Sequence, residues 1–346
     1  MASHKIFDGH NDVLLRLWFG RPNAIDGFSA GSDGHIDGPR AKAAGFAGGM
    51  FAIFVLGDIT LDLSVLNAAE YDVPLPEPLS YEEGLRVTME QAAILLELDR
   101  RGDVALCRTA AEIEAAMAAD RIAAVMHIEG AEAIGPDLAV LDVLHAAGLR
   151  SIGPVWSRNT IFAHGVPFRY PSDADIGPGL TPAGTRLVER VGALRMVLDT
   201  SHLNMAGFWD VAEAGLPLVA THSNAHAICP HARNLTDEQL RAIGETGGMV
   251  GLNFLTAFLR PDGRMQPDHA FEHMIPHLDH MIALAGEDHV GMGSDFDGGM
   301  LPQEIGEVGG LDVLREAMVK AGYGDALIKK LCHDNWIGGL RRIWGS

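Results

Sequence analysis

The chain has 346 residues, of which 47% are hydrophobic and 21% charged, a balance that builds a large core and excludes a disordered or low-complexity polymer. A formal charge of −20 opposes nucleic acid and anionic membrane surfaces, since binding either depends on Lys and Arg neutralising phosphates. Cys107, Cys229 and Cys332 are odd in number and lack CxxC spacing, which removes a disulfide framework and a cysteine zinc site and leaves three reduced, buried thiols as the expectation.

Short apolar runs alternate with longer helical patterns along the chain, the order of a parallel α/β sheet. Strands are predicted near Lys5 to Gly9, Gly48 to Val55, Ala123 to Ile128, Arg150 to Val155, Met196 to Thr200, Leu216 to Thr221, Met249 to Phe254 and Val290 to Gly293. Helices are predicted over Tyr81 to Arg101, Ala110 to Ala119, Asp137 to Ala147, Pro182 to Val191, Asn204 to Ala214, Asp237 to Glu245, Ala270 to Ala285, Leu311 to Lys320 and Asp325 to Ile343. Thr181-Pro182 and the capping-box pattern Thr236-Asp237-Glu238-Gln239 mark two of the starts. Glycine-rich stretches at 27 to 38 and 297 to 310 and the proline-rich stretch at 74 to 79 read as loops. Eight strands and their helices in 346 residues predict a single-domain (β/α)₈ TIM barrel, residues 1–346, with extended βα loops and C-terminal helices.

The N-terminus lacks the apolar stretch of a secretory signal and Gly45 to Gly57 is too short and glycine-rich to cross a bilayer, so the expected location is cytoplasmic. No GPI-type hydrophobic tail closes the chain.

Ligand-type residues fall where the predicted strands end. His10 and Asp12 follow the first, Glu129 the third, His202 the fifth, His222 the sixth and Asp295 the eighth. A (β/α)₈ barrel brings all these ends to one mouth. Zinc takes imidazole nitrogen and carboxylate oxygen, and a two-metal centre needs a bridging carboxylate to offset cation repulsion. His10-Asn11-Asp12 puts two side chains on one side of an extended segment. Each residue alone has a plain structural explanation: Glu129 as a cap or ion pair, Asp295 as a turn residue, His222 as a satisfied core histidine. A structural role gives no reason for such types to collect at one rim. The helical spacing of His269, His273, His277 and His280 predicts a free surface face, and Asp334-Asn335-Trp336 a start or cap of the last helix, with Trp336 and Trp344 packed on the barrel.

The sequence also resembles the membrane dipeptidase (renal dipeptidase) family of binuclear zinc peptidases. The matching motifs are Phe7-Asp8-Gly9-His10-Asn11-Asp12, Ile128-Glu129-Gly130, Thr200-Ser201-His202, Thr221-His222-Ser223, Ala232-Arg233-Asn234 and Gly293-Ser294-Asp295-Phe296-Asp297-Gly298, reaching to Asp334-Asn335. The resemblance implies two zinc ions, one on His10 and Asp12, the other on His202 and His222, with Glu129 bridging. It further implies that Asp295 shuttles the proton of a metal-bridging hydroxide, that Arg233 grips a free substrate carboxylate, and that a homodimer is reasonable. The implied reaction is amide hydrolysis of a dipeptide or similar small carboxylate-bearing substrate.

One position departs from the family pattern. Where well-studied members carry a histidine thought to hold the scissile carbonyl, this chain has Trp156, in Val155-Trp156-Ser157-Arg158-Asn159-Thr160. Indole offers a donor and no titratable group. Trp156 is expected as a wall of the substrate pocket, Asn159 as a substrate contact, and Arg158 or His164 as alternative donors to the carbonyl. The same anomaly keeps open a hydrolase of an N-acyl amino acid, cyclic amide or lactam. A non-hydrolytic small-molecule binder is the third reading.

Overall fold

The computed structural model describes residues 4–21, 23–57 and 62–345. Its centre is a curled parallel sheet of eight strands in chain order: β1 Ile6–Asn11, β2 Phe46–Phe54, β3 Ile122–Glu129, β4 Leu149–Gly153, β5 Val197–Leu198, β6 Val219–Ala220, β7 Met249–Leu252 and β8 Val290–Met292. Parallel ladders run from β5 through β4, β3, β2, β1, β8 and β7 to β6. An Asp199–Val219 bridge, with Thr200 N–H donating to Val219 O at 2.7 Å, joins β5 to β6 and closes the barrel. A ninth strand, Val104–Leu106, pairs with the start of β3.

Every residue of β1, β2 and β3 is buried, because a barrel strand has side chains packed inside and helices outside. Predicted strand positions hold to within a few residues, with β5 and β6 shorter than expected. The helices Tyr81–Arg101, Asp237–Glu245 and Leu311–Lys320 have the predicted limits. Their starts are chemical: Ser80 accepts from the Glu83 N–H, and Thr236 with Gln239 completes both halves of a capping box.

Two expectations are corrected. The segment following β1 is helical, over Val13–Phe19, Ala24–Ala30 and Gly38–Ala43, the last capped by the Asp37 carboxylate with Pro39 in its first turn. The predicted 325–343 helix contains a wider π turn at Lys330–Asp334, so Asp334 lies within the helical run and caps nothing; it pairs with Lys329 at 2.9 Å. Asn335 ties this run to the sheet by donating to Glu287 O and Val290 O. Trp336 is fully buried and its indole N–H donates to Met292 O at 2.8 Å, packing where Gly9 and Gly291 lack side chains.

Two short strands, Tyr71–Val73 and Phe168–Tyr170, pair antiparallel outside the barrel. Tyr71 and Tyr170 both donate through their hydroxyls, to Gly263 O and Pro261 O, which pins this ribbon to the loop after β7.

Candidate metal centre and substrate cavity

The C-terminal ends of the strands bring together His10, Asp12, Glu129, His202, His222 and Asp295, all buried. The loops following β1 and β8 are stitched at this mouth: Asp295 N–H donates to His10 O at 3.0 Å and Asp12 N–H to Phe296 O at 2.7 Å. Asp295 adopts a positive φ of 59° to make that turn.

Glu129 is central, and its two oxygens face different groups. Oε1 is 2.9 Å from His202 Nε2 and 3.3 Å from His222 Nε2, while Oε2 is 3.8 Å from His10 Nε2. His10 Nε2 is in turn 3.7 Å from Asp12 Oδ2, the same-side placement that an extended HxD segment dictates. Among the described residues, three sets of side chains have donor atoms close enough to share an ion: Glu129, His202 and His222; His10, Asp12 and Asp295; and His10, Asp199 and His222.

The polar surroundings fix which ring nitrogen points inward. The Thr221 hydroxyl donates to Asp199 Oδ2 at 2.6 Å, so it accepts from His222 Nδ1–H at 2.8 Å and leaves a lone pair on Nε2. Ser157 Oγ lies 3.0 Å from His202 Nδ1 and can do the same for that ring. The two Nε2 atoms are then 3.1 Å apart with lone pairs facing. Two zinc-bound imidazoles in a tetrahedral site sit roughly 3.3 Å apart, so a cation resolves a contact that is otherwise repulsive. Both ring nitrogens of His10 and Asp12 Oδ1 are buried without hydrogen-bond partners. At Gly298 a Cβ would collide with Asp295 Oδ1 and Asp12 Oδ2, so only glycine leaves that space open. The donor set fits a metal.

Its electrostatics agree. Burial pushes Asp295 up to about 7, with the Asp12 charge adding and the Asn253 amide, which donates to Asp295 Oδ2 at 2.8 Å, opposing. Burial, then Asp12 and Asp295, hold Glu129 well above the usual carboxylate range. Burial works against charging His10, but Glu129 and Asp12 overcome it and push the ring up to about 10. The cluster is a low-dielectric site with excess negative charge.

Beside it opens a cavity of about 440 Å³, lined by Asp12, Glu129, Asp295 and His202 on one side and by Trp156 with other apolar side chains on the other. Trp156 therefore stands where the sequence placed it, in the wall. Arg158 is instead fully buried behind that wall, donating to Val55 O and Leu56 O and facing Glu132 at 3.4 Å. His164 is absent from the lining. Asn159 is not brought to the carboxylates; it lines a neighbouring cavity of about 390 Å³, and its amide oxygen accepts from Gly165 N–H at 3.1 Å, bracing its own loop. Arg233 lies behind the two histidines, bonded to Ser201 O and His222 O, and its guanidinium sits over Phe258 at 5.6 Å. It has no carboxylate partner among the described residues, and its buried Nε lacks an acceptor. Burial lowers its pKa to about 10.

Sequence reasoning missed Asp199, Ser157 and Asn253 as orienting groups, and Phe54, Phe168 and Phe258 as cavity walls. It also misplaced His277, which is buried inside the expected surface face, accepting from Ala225 N–H and bonded to Leu259 O.

The family model for membrane dipeptidase, peptidase family M19, matches residues 1–345. The chain belongs to the membrane dipeptidase family. Among solved structures, a metallo peptidase from Rhodobacter sphaeroides, liganded with a phosphinate mimic of the dipeptide L-Ala-D-Ala, is 50% identical with a TM-score of 0.97 and covers 99% of this chain and 100% of its own. An M19 metallo peptidase described as dipeptidase AC gives the same identity and TM-score, over 100% of both chains. A Klebsiella pneumoniae protein described only as uncharacterized, in the pqqA 5′ region, is 47% identical over 261 residues, 75% of this chain and 96% of its own. Membership, together with the ligand clusters, makes this family member a metal-dependent hydrolase of the dipeptidase type. No helix among the described residues is long and apolar enough to cross a membrane.

Proposed function

We propose that this family member is a two-zinc dipeptidase, one catalytic unit over residues 1–346, that cleaves short peptides bearing a free C-terminal carboxylate. The observation that carries this reading is Glu129 held between His202 and His222 on one oxygen and His10 on the other, at the floor of the cavity. His10 and Asp12 would hold one ion, His202 and His222 the other, and Glu129 both. Bound there, a zinc pair supplies Lewis acidity to the scissile carbonyl and lowers the pKa of the attacking water toward ~7.

The chain's own groups do the rest. Asp295, buried at the mouth beside His10 and Asp12, is placed to take a proton from water and pass it to the leaving amine. Because Asn253 donates to Asp295 Oδ2, that proton belongs on Oδ1. Arg233, behind His202 and His222 and outside the cavity lining, is a buried cation without an anionic partner among the described residues, and would draw a substrate carboxylate toward that side. A cavity of about 440 Å³ admits a dipeptide and no folded chain. Three free, buried cysteines suit a reducing cytoplasm.

The test is metal analysis of the purified protein followed by a dipeptide panel. Near two zinc ions per chain and turnover of dipeptides are expected, with Asp295→Asn retaining metal and losing at least a hundredfold in kcat. Fully loaded protein that cleaves no dipeptide overturns the proposal.

A further inference from the structure

The cavity has two chemically distinct sides. Among the described residues, the charged side chains of its lining, Asp12, Glu129 and Asp295, sit with His202 at the proposed metal floor, and the rest of the lining is apolar or glycine. Among the described residues, a substrate side chain that leaves the floor meets hydrocarbon and the Trp156 indole.

Trp156 forms the part of that wall beside His202. Its ring centroid lies 6.0 Å from that of His202, 4.8 Å from Phe54 and 5.6 Å from Phe168. The Arg158 guanidinium backs it at 5.6 Å, and Arg158 is itself fixed by Val55 O, Leu56 O and Glu132. The indole is thus a braced surface, and Arg158, already engaged, offers no charge to a substrate. The reacting carbonyl must lie at the floor, one bond from the α-carbon of the N-terminal residue and two from that of the C-terminal residue, so the N-terminal side chain is the first to meet the wall beside the floor. Arg233 is outside this lining, behind His202 and His222 and over Phe258.

We propose that Trp156, flanked by Phe54 and Phe168, is the specificity-determining residue for the N-terminal side chain, selecting dipeptides whose first residue is apolar and rejecting those whose first residue is charged. This rests on the dipeptidase reading above. The physical basis is desolvation: an aliphatic or aromatic side chain gains by leaving water for this wall, whereas an ammonium there loses its hydration with no acceptor among the described wall residues, and a carboxylate loses it for at most the single indole N–H.

The zinc-loaded full chain is assayed with dipeptides of one constant C-terminal residue and Leu, Phe, Asp or Lys in first place. Leu and Phe are expected to exceed Asp and Lys at least tenfold in kcat/KM; Trp156→Ala compresses the Leu-to-Asp ratio below threefold, and Trp156→Phe, which keeps an apolar ring, preserves it. Equal rates for Asp or Lys and Leu in the parent enzyme, or a ratio unchanged in Trp156→Ala, overturn the assignment. Binding of the same peptides to the zinc-loaded Asp295→Asn variant is read by calorimetry. Flat affinities across the panel overturn the wall's role, whereas an apolar preference in binding with no parental turnover overturns the dipeptidase reading and upholds the wall's.

Discussion

Two hydroxyls decide which nitrogen the inner histidines present. Thr221 gives its proton to Asp199, which obliges it to accept from His222 Nδ1 and frees Nε2 for a cation. Thr221→Val keeps the shape and removes the acceptor, and a partner of a metal-bound histidine is typically worth 10–100-fold in metal affinity. Chelator competition should therefore show weaker retention of one ion in Thr221→Val and near-parental retention in Thr221→Ser, which keeps the hydroxyl. Equal retention in all three proteins means the tautomer is fixed by something else. At this scale the sequence shows the atoms that face the site and hides those behind them. His10, Asp12, Glu129, His202 and His222 stand at strand ends, and that position is a pattern. Asp199, Ser157 and Asn253 act through a hydrogen bond to a residue distant in the chain, and no spacing announces it. Asn159 stands apart for the converse reason: it shares a loop with Trp156, but the loop turns and its amide oxygen accepts from Gly165 N–H.

Elements were legible where their signals are local. Helices with a Ser or Thr cap start where the hydroxyl meets the first free N–H groups, as at Ser80, Thr109, Thr181 and Thr236. The ribbon of Tyr71–Val73 with Phe168–Tyr170 was invisible because each half is three residues long and its partner lies far along the chain. The helix Met274–Ala285 shows what helical spacing cannot settle: four histidines share it and its approach, and His277 alone points into the core, at Ala225 and Leu259. With Ala225 N–H donating to Nδ1, the ring must be neutral. Burial, with His273 and His280 nearby, lowers its pKa from 6.5 to about 4. The folded state thus binds this proton less readily than the unfolded chain, so its stabilisation is complete above pH 6.5 and is lost as pH falls toward 4. The loss amounts to roughly 3 kcal/mol. Urea unfolding of the parent against His277→Asn, which retains an acceptor near Nδ1 but cannot titrate, should show a shallower fall for the variant over this range. Parallel curves assign the acid sensitivity to other groups.

At the scale of the molecule, the eight-strand count was the robust inference, because burial on both faces leaves parallel strands as apolar runs whatever their exact ends. That same closure forces Asp12, Glu129 and Asp295 into one dry pocket in a chain that already carries a net charge of −20. The fold tolerates this crowding best with cations at the mouth, and a ligand held only by the folded state stabilises it by about 4 kcal/mol per site at a thousandfold excess over Kd. Stripping metal with a chelator should therefore lower the thermal midpoint by several degrees, and stoichiometric zinc should restore it. Salt separates the two sources of repulsion. Ions screen exposed charges within roughly 10 Å at 0.1 M but reach a buried cluster poorly, so sodium chloride should recover little of the lost stability. If salt alone restores the midpoint, the penalty lies in the acidic surface; if the chelator leaves it unmoved, the three carboxylates are accommodated by protons instead of metal.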